Sequence, residues 1–268
     1  MSESLTVASY GGGVNSTAML IGMHAKGERV DLVLFADTGG ETPDTMEYVA
    51  KFSRWLAAKG MPPIMAVRKT TKKAGRFRGA NEELTLERMC LEQKVLPSVA
   101  YGMKSCSLKF KKEPQDEYLS AWTPAIDAWA AGLKVTKLIG FDAGEPWRQK
   151  DSPDPRFTNR FPLIEWGWDR EECIEQIASA GLCVPPKSSC FFCPNMTEIE
   201  VLRLRDRHPD LMTRALEMEA NAVATPGSTI KGLGRNVSWK QIIEYDATQM
   251  AFIPRSMPTL PCECWDGD

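Results

Sequence analysis

Residues 5–18 read "LTVASYGGGVNSTA". The apolar run "LTVASY" (5–10) has the composition of a strand. Three glycines follow, and Ser16 then opens a segment with helical spacing that runs to about Lys26 and stops at Gly27. A strand that passes into a helix through glycines lets backbone N–H groups approach an anion closely, with the positive end of the helix dipole behind them. Gly11, Gly12 and Gly13 supply the backbone, and Ser9, Ser16 and Thr17 add hydroxyl donors. The stretch therefore reads as a phosphate cradle, and it sets the expectation for the rest of the fold.

Outward from this turn the pattern repeats. "DLVLFA" (31–36), "PIMAVR" (63–68) and "VTKLIG" (135–140) read as buried strands. Asp44 to Lys59 reads as an amphipathic helix, with Tyr48, Phe52, Trp55 and Leu56 at helical spacing and Gly60 at its stop. Thr123 and Pro124 open another helix. Asp169 to Ala180 is a further one, with Asp169 and Glu172 at capping-box spacing and Gly181 beyond its end. Pro209 opens a later helix. Strands alternating with helices predict an α/β fold, a doubly wound parallel sheet covered on both faces, with a helical C-terminal extension. The division expected is residues 1–168 for the nucleotide-binding α/β domain and 169–268 for the extension, which carries cysteines.

The 268 residues hold 33 Lys and Arg against 35 Asp and Glu, a net charge of −2. The charge is unevenly spread. Residues 66–112 hold twelve basic and four acidic side chains, about +8, which leaves about −10 for the remainder. The stretch 69–112 breaks the strand–helix rhythm and reads as a partly helical insertion or lid. A basic field facing a polyanion and a solvated lysine-rich loop both fit it. No window is continuously apolar over the length of a membrane helix, so no membrane partner is expected, and the chain reads as cytoplasmic. The eight cysteines do not suggest a disulfide framework in a chain of this length; clustered thiols in a reducing compartment bind metal or do redox work.

Three glycine-rich motifs compete for residues 9–18. A Walker loop needs Lys before its Ser or Thr, and that position is Asn15. The dinucleotide fingerprint finds Gly11, Gly13 and Ser16 at the right spacing, with Asp37 about twenty residues on, where an acid would hold a ribose. The third pattern, roughly S-G-G-x-D-S, is followed by Gly12, Gly13, Val14, Asn15 and Ser16, with Gly11 in the Ser position and Asn15 in the Asp position. It is accompanied by "FADTGGETPDT" (35–45), "CSLKFKKEP" (106–114), "IGFDAGEPWR" (139–148), "FPLIEW" (161–166) with "DREECIEQIASAGL" (169–182), and "SSCFFCPNM" (188–196).

On these motifs, over roughly residues 5–210, the chain resembles the adenine nucleotide α-hydrolase and PAPS reductase superfamily, the PP-loop ATP pyrophosphatases. Within it, the phage-type or DNA-sulfur-modification-like branch is the nearest in pattern. The resemblance implies a Rossmann-like sheet of the PP-loop/HUP type and an adenine nucleotide, ATP or PAPS, as ligand. It implies an enzyme acting at the nucleotide's phosphate or sulfate in sulfur transfer, in a bacterial or phage-infected host cytosol. DNA or tRNA is the implied acceptor, with a sulfur donor or redox partner. It places Ser9, Gly11, Gly12, Gly13, Asn15, Ser16, Thr17, Asp37, Thr38 and Gly39 at the nucleotide, and assigns catalysis to Asp37, Lys109, Arg148 and Cys106. Lys109, Lys111 and Arg148 are of the type that neutralises phosphoryl or sulfuryl oxygens. Asp37 is read as a ribose contact or a Mg²⁺ ligand, with a turn-forming role as its alternative.

Cys190 and Cys193 form C-x₂-C, whose spacing lets two thiolates reach one metal. The resemblance implies a [4Fe–4S] cluster on Cys106, Cys183, Cys190 and Cys193, with zinc as the alternative. Cys90 and Cys173 fall in helical patterns and read as core. Cys262 and Cys264 lie in "PCECWDGD", which lacks the His of the reductases' C-terminal motif. Neither His24 nor His208 is given a catalytic role, and Trp147 is a candidate to stack on a base. Two other functions stay open: a true sulfonucleotide reductase, and a non-catalytic nucleotide- or DNA-binding protein.

Overall fold

The computed structural model describes residues 4–71, 82–97, 99–100, 103–234 and 237–249. The first half of the chain builds β1 (Thr6–Tyr10), α1 (Val14–Ala25), β2 (Leu32–Ala36), α2 (Pro43–Ala58) and β3 (Ile64–Val67). The insertion follows, with β4 (Thr70–Thr71), β5 (Glu82–Glu83), α3 (Leu86–Gln93), β6 (Val99–Ala100) and β7 (Met103–Lys104). The short α4 (Ser105–Ser107) then runs into a π-helical turn over Leu108–Lys112. Next come α5 (Glu113–Ala121), α6 (Thr123–Ala130), β8 (Val135–Ile139), β9 (Phe157–Arg160), α7 (Pro162–Glu165) and α8 (Arg170–Ser179). The last described elements are α9 (Glu198–Arg207), α10 (Pro209–Val223) and α11 (Trp239–Gln249).

Five strands form one sheet in the order β3-β2-β1-β8-β9, with every pairing parallel. The fold is a doubly wound parallel α/β sheet, as the sequence predicts. Alternation along each strand explains why both faces are covered. Ala8, Tyr10, Val33, Phe35 and Leu138 point into a core shared with α1, α2 and α8, where Phe52 and Trp55 stack. Val7, Leu32, Leu34, Ala36 and Val135 point the other way, against Leu119 of α5 and Ala125 of α6.

The order of strands reverses between β1 and β8. In open parallel sheets the crevice at such a switch point, outside the carboxyl ends of the strands, is where ligands bind. The glycine turn after β1 lies there.

A third core lies outside the sheet. Leu86 and Cys90 of α3 and Phe110 of the π-helical turn pack with Phe191, Phe192, Val201, Leu211, Met218 and Trp239. The insertion and α9–α11 are thus held together by one apolar cluster. The helix α8 belongs instead to the first core, through Cys173 and Ile177. Among the described residues no helix is long and apolar enough to cross a membrane.

Candidate functional site

α1 begins without a side-chain cap. Its N-cap is Gly13, whose missing side chain can offer no hydrogen bond, and its first turn carries no acid. The N–H groups of Val14, Asn15 and Ser16 lie in the turn that a helix cannot satisfy for itself. They sit at the end of a cavity of about 460 Å³, within the range of small-ligand sites. Ser9, Gly11, Gly13, Asn15 and Ser16 line it from the turn, and Ile139, Gly140 and Phe141 from the end of β8. Lys111, Arg148, Arg170 and Pro186–Ser188 complete the wall.

Local packing fixes this geometry. Gly12 has φ +73°, which a side chain strains, and a Cβ there would touch Phe35, Thr45 and Ser188 at 3.4 Å. At Gly140 a Cβ would lie 3.0 Å from the Cα and backbone N of Ser16, so β8 can pass this close to the start of α1 only as glycine. Ser16 Oγ accepts from Gly11 N–H at 3.1 Å and tightens the turn. The hydroxyl of Ser188 donates to the carbonyl of Gly11 and ties the C-terminal segment to the turn.

The predicted nucleotide residues divide by position. Ser9, Gly11, Gly13, Asn15 and Ser16 line the cavity, whereas Gly12 lies in the turn behind it. Thr17 is fully buried, with its hydroxyl donating to Gly13 O at 3.0 Å and 3.2 Å from the Tyr10 hydroxyl. Ser9 Oγ donates to Gln115 Oε1 at 2.8 Å.

Asp37, Thr38 and Gly39 do not line the cavity. Asp37 accepts from Gly39 N–H on Oδ1 at 2.8 Å, an Asx turn, and Arg68 donates to its Oδ2 from Nε at 2.8 Å and Nη2 at 2.6 Å. Both oxygens are thus engaged within the fold. Thr38 is buried, with its hydroxyl 3.1 Å from Cys190 Sγ. Gly39 has φ +74° and lies against Thr85.

Lys109 and Lys111 separate as well. Two positions apart on a helical turn do not share a face. Lys111 lines the cradle cavity, whereas Lys109 lines another one. Lys111 Nζ lies 3.6 Å from Glu41 Oε1, and the Glu41 side chain is 1% exposed. Burial raises the Glu41 pKa, and the nearby ammonium opposes that rise. Burial, the largest single influence, lowers Lys111, but Glu41 together with Cys190, Cys106 and Cys193 outweighs it and the net shift is upward. The second oxygen of Glu41 has no hydrogen-bond partner. Arg148 lines the cavity, stacks its guanidinium 3.9 Å from the centre of the Phe141 ring and pairs with Glu145. Trp147 beside it is 72% exposed.

Asn15 stands between two charged residues. Its Nδ2 donates to Asp142 Oδ2 at 2.8 Å, and its Oδ1 accepts from Arg170 Nη1 at 3.1 Å. Sequence reading singled out neither Asp142 nor Arg170 by number, although an acid after β8 and a basic residue at the start of α8 are both visible in the quoted motifs. Glu41 was likewise present only as the acid after "DTGG".

The cysteines fall into two groups. Cys190 and Cys193 form a tight turn, with Cys193 N–H donating to Cys190 O at 3.0 Å. A bridge between Cys190 and Glu41 and a 2.7 Å bond from Phe191 N–H to Gly40 O fasten this turn to the loop after β2. Cys106 packs on the same apolar cluster as Cys190, and Cys106, Cys190 and Cys193 all help to raise the Lys111 pKa. Cys183 lies against the first core instead, and its carbonyl accepts from the Tyr48 hydroxyl at 2.9 Å. Cys183 is disulfide-bonded, against the expectation of thiols alone, whereas Cys106, Cys190 and Cys193 are free, so Cys183 stands apart from the other three predicted ligands. Among the described residues no group of three His, Cys, Asp or Glu side chains is arranged to hold a metal ion. The donor set, as it stands, does not close a cage for a cluster or for zinc. Burial pushes the Cys190 thiol up to about 12. Cys262 and Cys264 lie outside the described residues.

No family model and no curated protein matches the chain. Among solved structures, the chain is similar to the U34-tRNA thiolase NcsA from Methanococcus maripaludis with its [4Fe-4S] cluster. That match has 13% sequence identity, covers 95% of this chain and 84% of that chain, and has a TM-score of 0.39.

Proposed function

We propose that the protein is an enzyme of the PP-loop adenine nucleotide α-hydrolase and PAPS reductase type. It binds ATP in the cradle and acts at its phosphates in sulfur transfer to a nucleic acid. The observation that supports this most directly is the uncapped start of α1, opening at the strand-order switch into a cavity that Lys111, Arg148 and Arg170 also line. Backbone donors and fixed cations around one anion site are what phosphoryl chemistry requires, because charge develops on the phosphate oxygens.

In this reading the N–H groups of Val14, Asn15 and Ser16 hold phosphate oxygens. Lys111, braced by Glu41, and Arg148 neutralise the charge. Asp142, whose two oxygens accept from Asn15 Nδ2 and Gly144 N–H, fixes the Asn15 amide at the cavity wall. An oxygen of the acceptor attacks the α-phosphorus, its bond to phosphorus forms, and pyrophosphate leaves with the electron pair of the broken bond. Among the described residues, Cys106, Cys190 and Cys193 are the thiols that act electrostatically on Lys111, and they are the place for sulfur handling. Their geometry does not close a metal cage, so no step is assigned to a cluster. The nucleic-acid acceptor rests on the basic stretch 66–112.

Calorimetric titration with ATP, PAPS and NAD, each with Mg²⁺, tests the reading. ATP should bind, and Gly13→Val should abolish its binding in a folded protein, because a side chain at the N-cap blocks the phosphate's approach. Binding of NAD but not ATP, or an unchanged ATP affinity in the variant, overturns it. PAPS binding in preference to ATP moves the assignment to the sulfonucleotide reductases. Iron and zinc contents of protein purified without air check the thiols directly.

A further inference from the structure

The π-helical turn Leu108–Lys112 separates two cavities that share no lining residue. π-Helical turns are rare and recur at functional sites. On the side away from the cradle, Lys109 lines a cavity of about 320 Å³. Its floor includes Leu86 and Phe110, both buried, and half-buried Met89 lies in the wall. Gln93, Ser105 and Cys106 bring polar groups to it, and no acidic side chain lines it among the described residues. Lys109 is its one cation and has no carboxylate partner among the described residues. A matching ligand has a flat apolar body, hydrogen-bonding edges and a negative charge beside it. A nucleobase attached to its phosphate meets all three conditions.

We propose that this cavity is a holding subsite for one nucleobase of the acceptor strand, with that nucleotide's phosphate on Lys109. The proposal rests on the nucleic-acid acceptor of the preceding section and adds where the strand is gripped. The seated base is not the reacting one, because the π-helical turn stands between it and the cradle. Its role is register: an extruded or unpaired base is held by apolar contact on its faces and by polar groups at its edge. Gln93 and Ser105 are the groups that can read that edge.

The experiment uses the full-length protein with its cradle saturated by ATP and Mg²⁺. Labelled single-stranded RNA and DNA oligonucleotides are titrated by anisotropy, beside the free monophosphates UMP and AMP. The expected result is saturable oligonucleotide binding that ATP does not displace. Met89→Trp, which fills the cavity, should weaken it about tenfold, the scale of losing one stacked base. Lys109→Ala should weaken it and reduce the salt slope by about one, and Lys109→Arg should restore it. ATP affinity, measured separately, should be unchanged in all three variants. Complete displacement of the oligonucleotide by ATP, or wild-type binding by both Met89→Trp and Lys109→Ala, overturns the subsite. UMP or AMP binding as tightly as the strand assigns the cavity to a free mononucleotide and overturns the acceptor-strand proposal. Oligonucleotide binding with these variant effects but no ATP binding would support the subsite and remove the proposed function instead.

Discussion

Asn15 occupies the position where the resemblance expects an acid, and its neighbours show why an amide is stable there. Asp142 accepts from its Nδ2, and Arg170 donates to its Oδ1. The amide offers both the donor and the acceptor that these two partners require, which a carboxylate does not. Asn15→Asp would set a second carboxylate against Asp142. Like charges this close disfavour joint ionisation, at a cost of about 1–2 kcal/mol, since one pKa unit is worth about 1.4 kcal/mol. The variant should melt several degrees lower than the wild type at pH 8 in EDTA. Added Mg²⁺ should restore it by more than it stabilises the wild type, because a divalent cation reverses the local repulsion. Equal Mg²⁺ responses in thermal melts would contradict this. The sequence made the glycines of the cradle legible, since they fall between an apolar strand and a helical segment, although only Gly12 has a backbone conformation that strains a side chain. It left Asp37 ambiguous: an acid after a strand suits a ribose, a metal or an Asx turn, and only the position of Arg68 distinguishes them. The choice between Lys109 and Lys111 was hidden for a similar reason. It depends on which way a five-residue π-helical turn faces.

At the scale of elements, the strands with apolar runs were legible and β9 was not. Its four residues, "FTNR", bury only Phe157 fully and pair along one edge of the sheet, so they carry no hydrophobic pattern to read. The helices with punctuation were found within a residue or two, including α2, α8 and α10. The start of α11 shows what pattern reading misses. Buried Glu219, on α10, accepts from the backbone N–H of Leu233 at 2.7 Å, Trp239 at 2.9 Å and Lys240 at 3.1 Å. Ser238 and Gln241 cap α11 locally, the hydroxyl accepting from Gln241 N–H and the amide oxygen from Ser238 N–H, each at 3.1 Å, while a carboxylate twenty residues away takes the first two helical N–H groups that this box leaves over. Glu219→Ala would leave three donors unpaired, each costing about 1–3 kcal/mol if water cannot reach it. Urea unfolding should show a loss of about 3 kcal/mol or more, with ATP binding kept where the sheet remains folded. A loss below about 1 kcal/mol would mean that water takes over these donors.

Across the whole molecule, two buried thiols report on separate cores. Cys173 lies in the core between the sheet and α8, and Cys90 in the cluster that joins the insertion to α9–α11. Burial pushes each thiol up to about 12. The unfolded chain loses these protons near pH 8.5–9 and the folded chain holds them longer. Stability therefore falls as pH rises from about 9 towards 12, by about 1.4 kcal/mol per pH unit for each thiol. Below pH 8 neither thiol contributes a slope. Replacing both by Ala should flatten the decline between pH 9 and 10.5 in urea titrations under reductant, and an unchanged slope would contradict the burial argument. The shared cluster was not legible, because nothing local in residues 84–110 announces a partner a hundred positions downstream. It has a consequence for how the chain is made. A ribosome delivers β1, β2 and β3 with their helices first, and β8 and β9 can join them before the last quarter is translated. The segment carrying Cys106 and Lys111 cannot settle until Phe191, Phe192 and the helices after them emerge. The nascent protein should thus hold a formed sheet with an open cradle well before it holds a working site, so nucleotide and chaperone meet the same half-built molecule during synthesis.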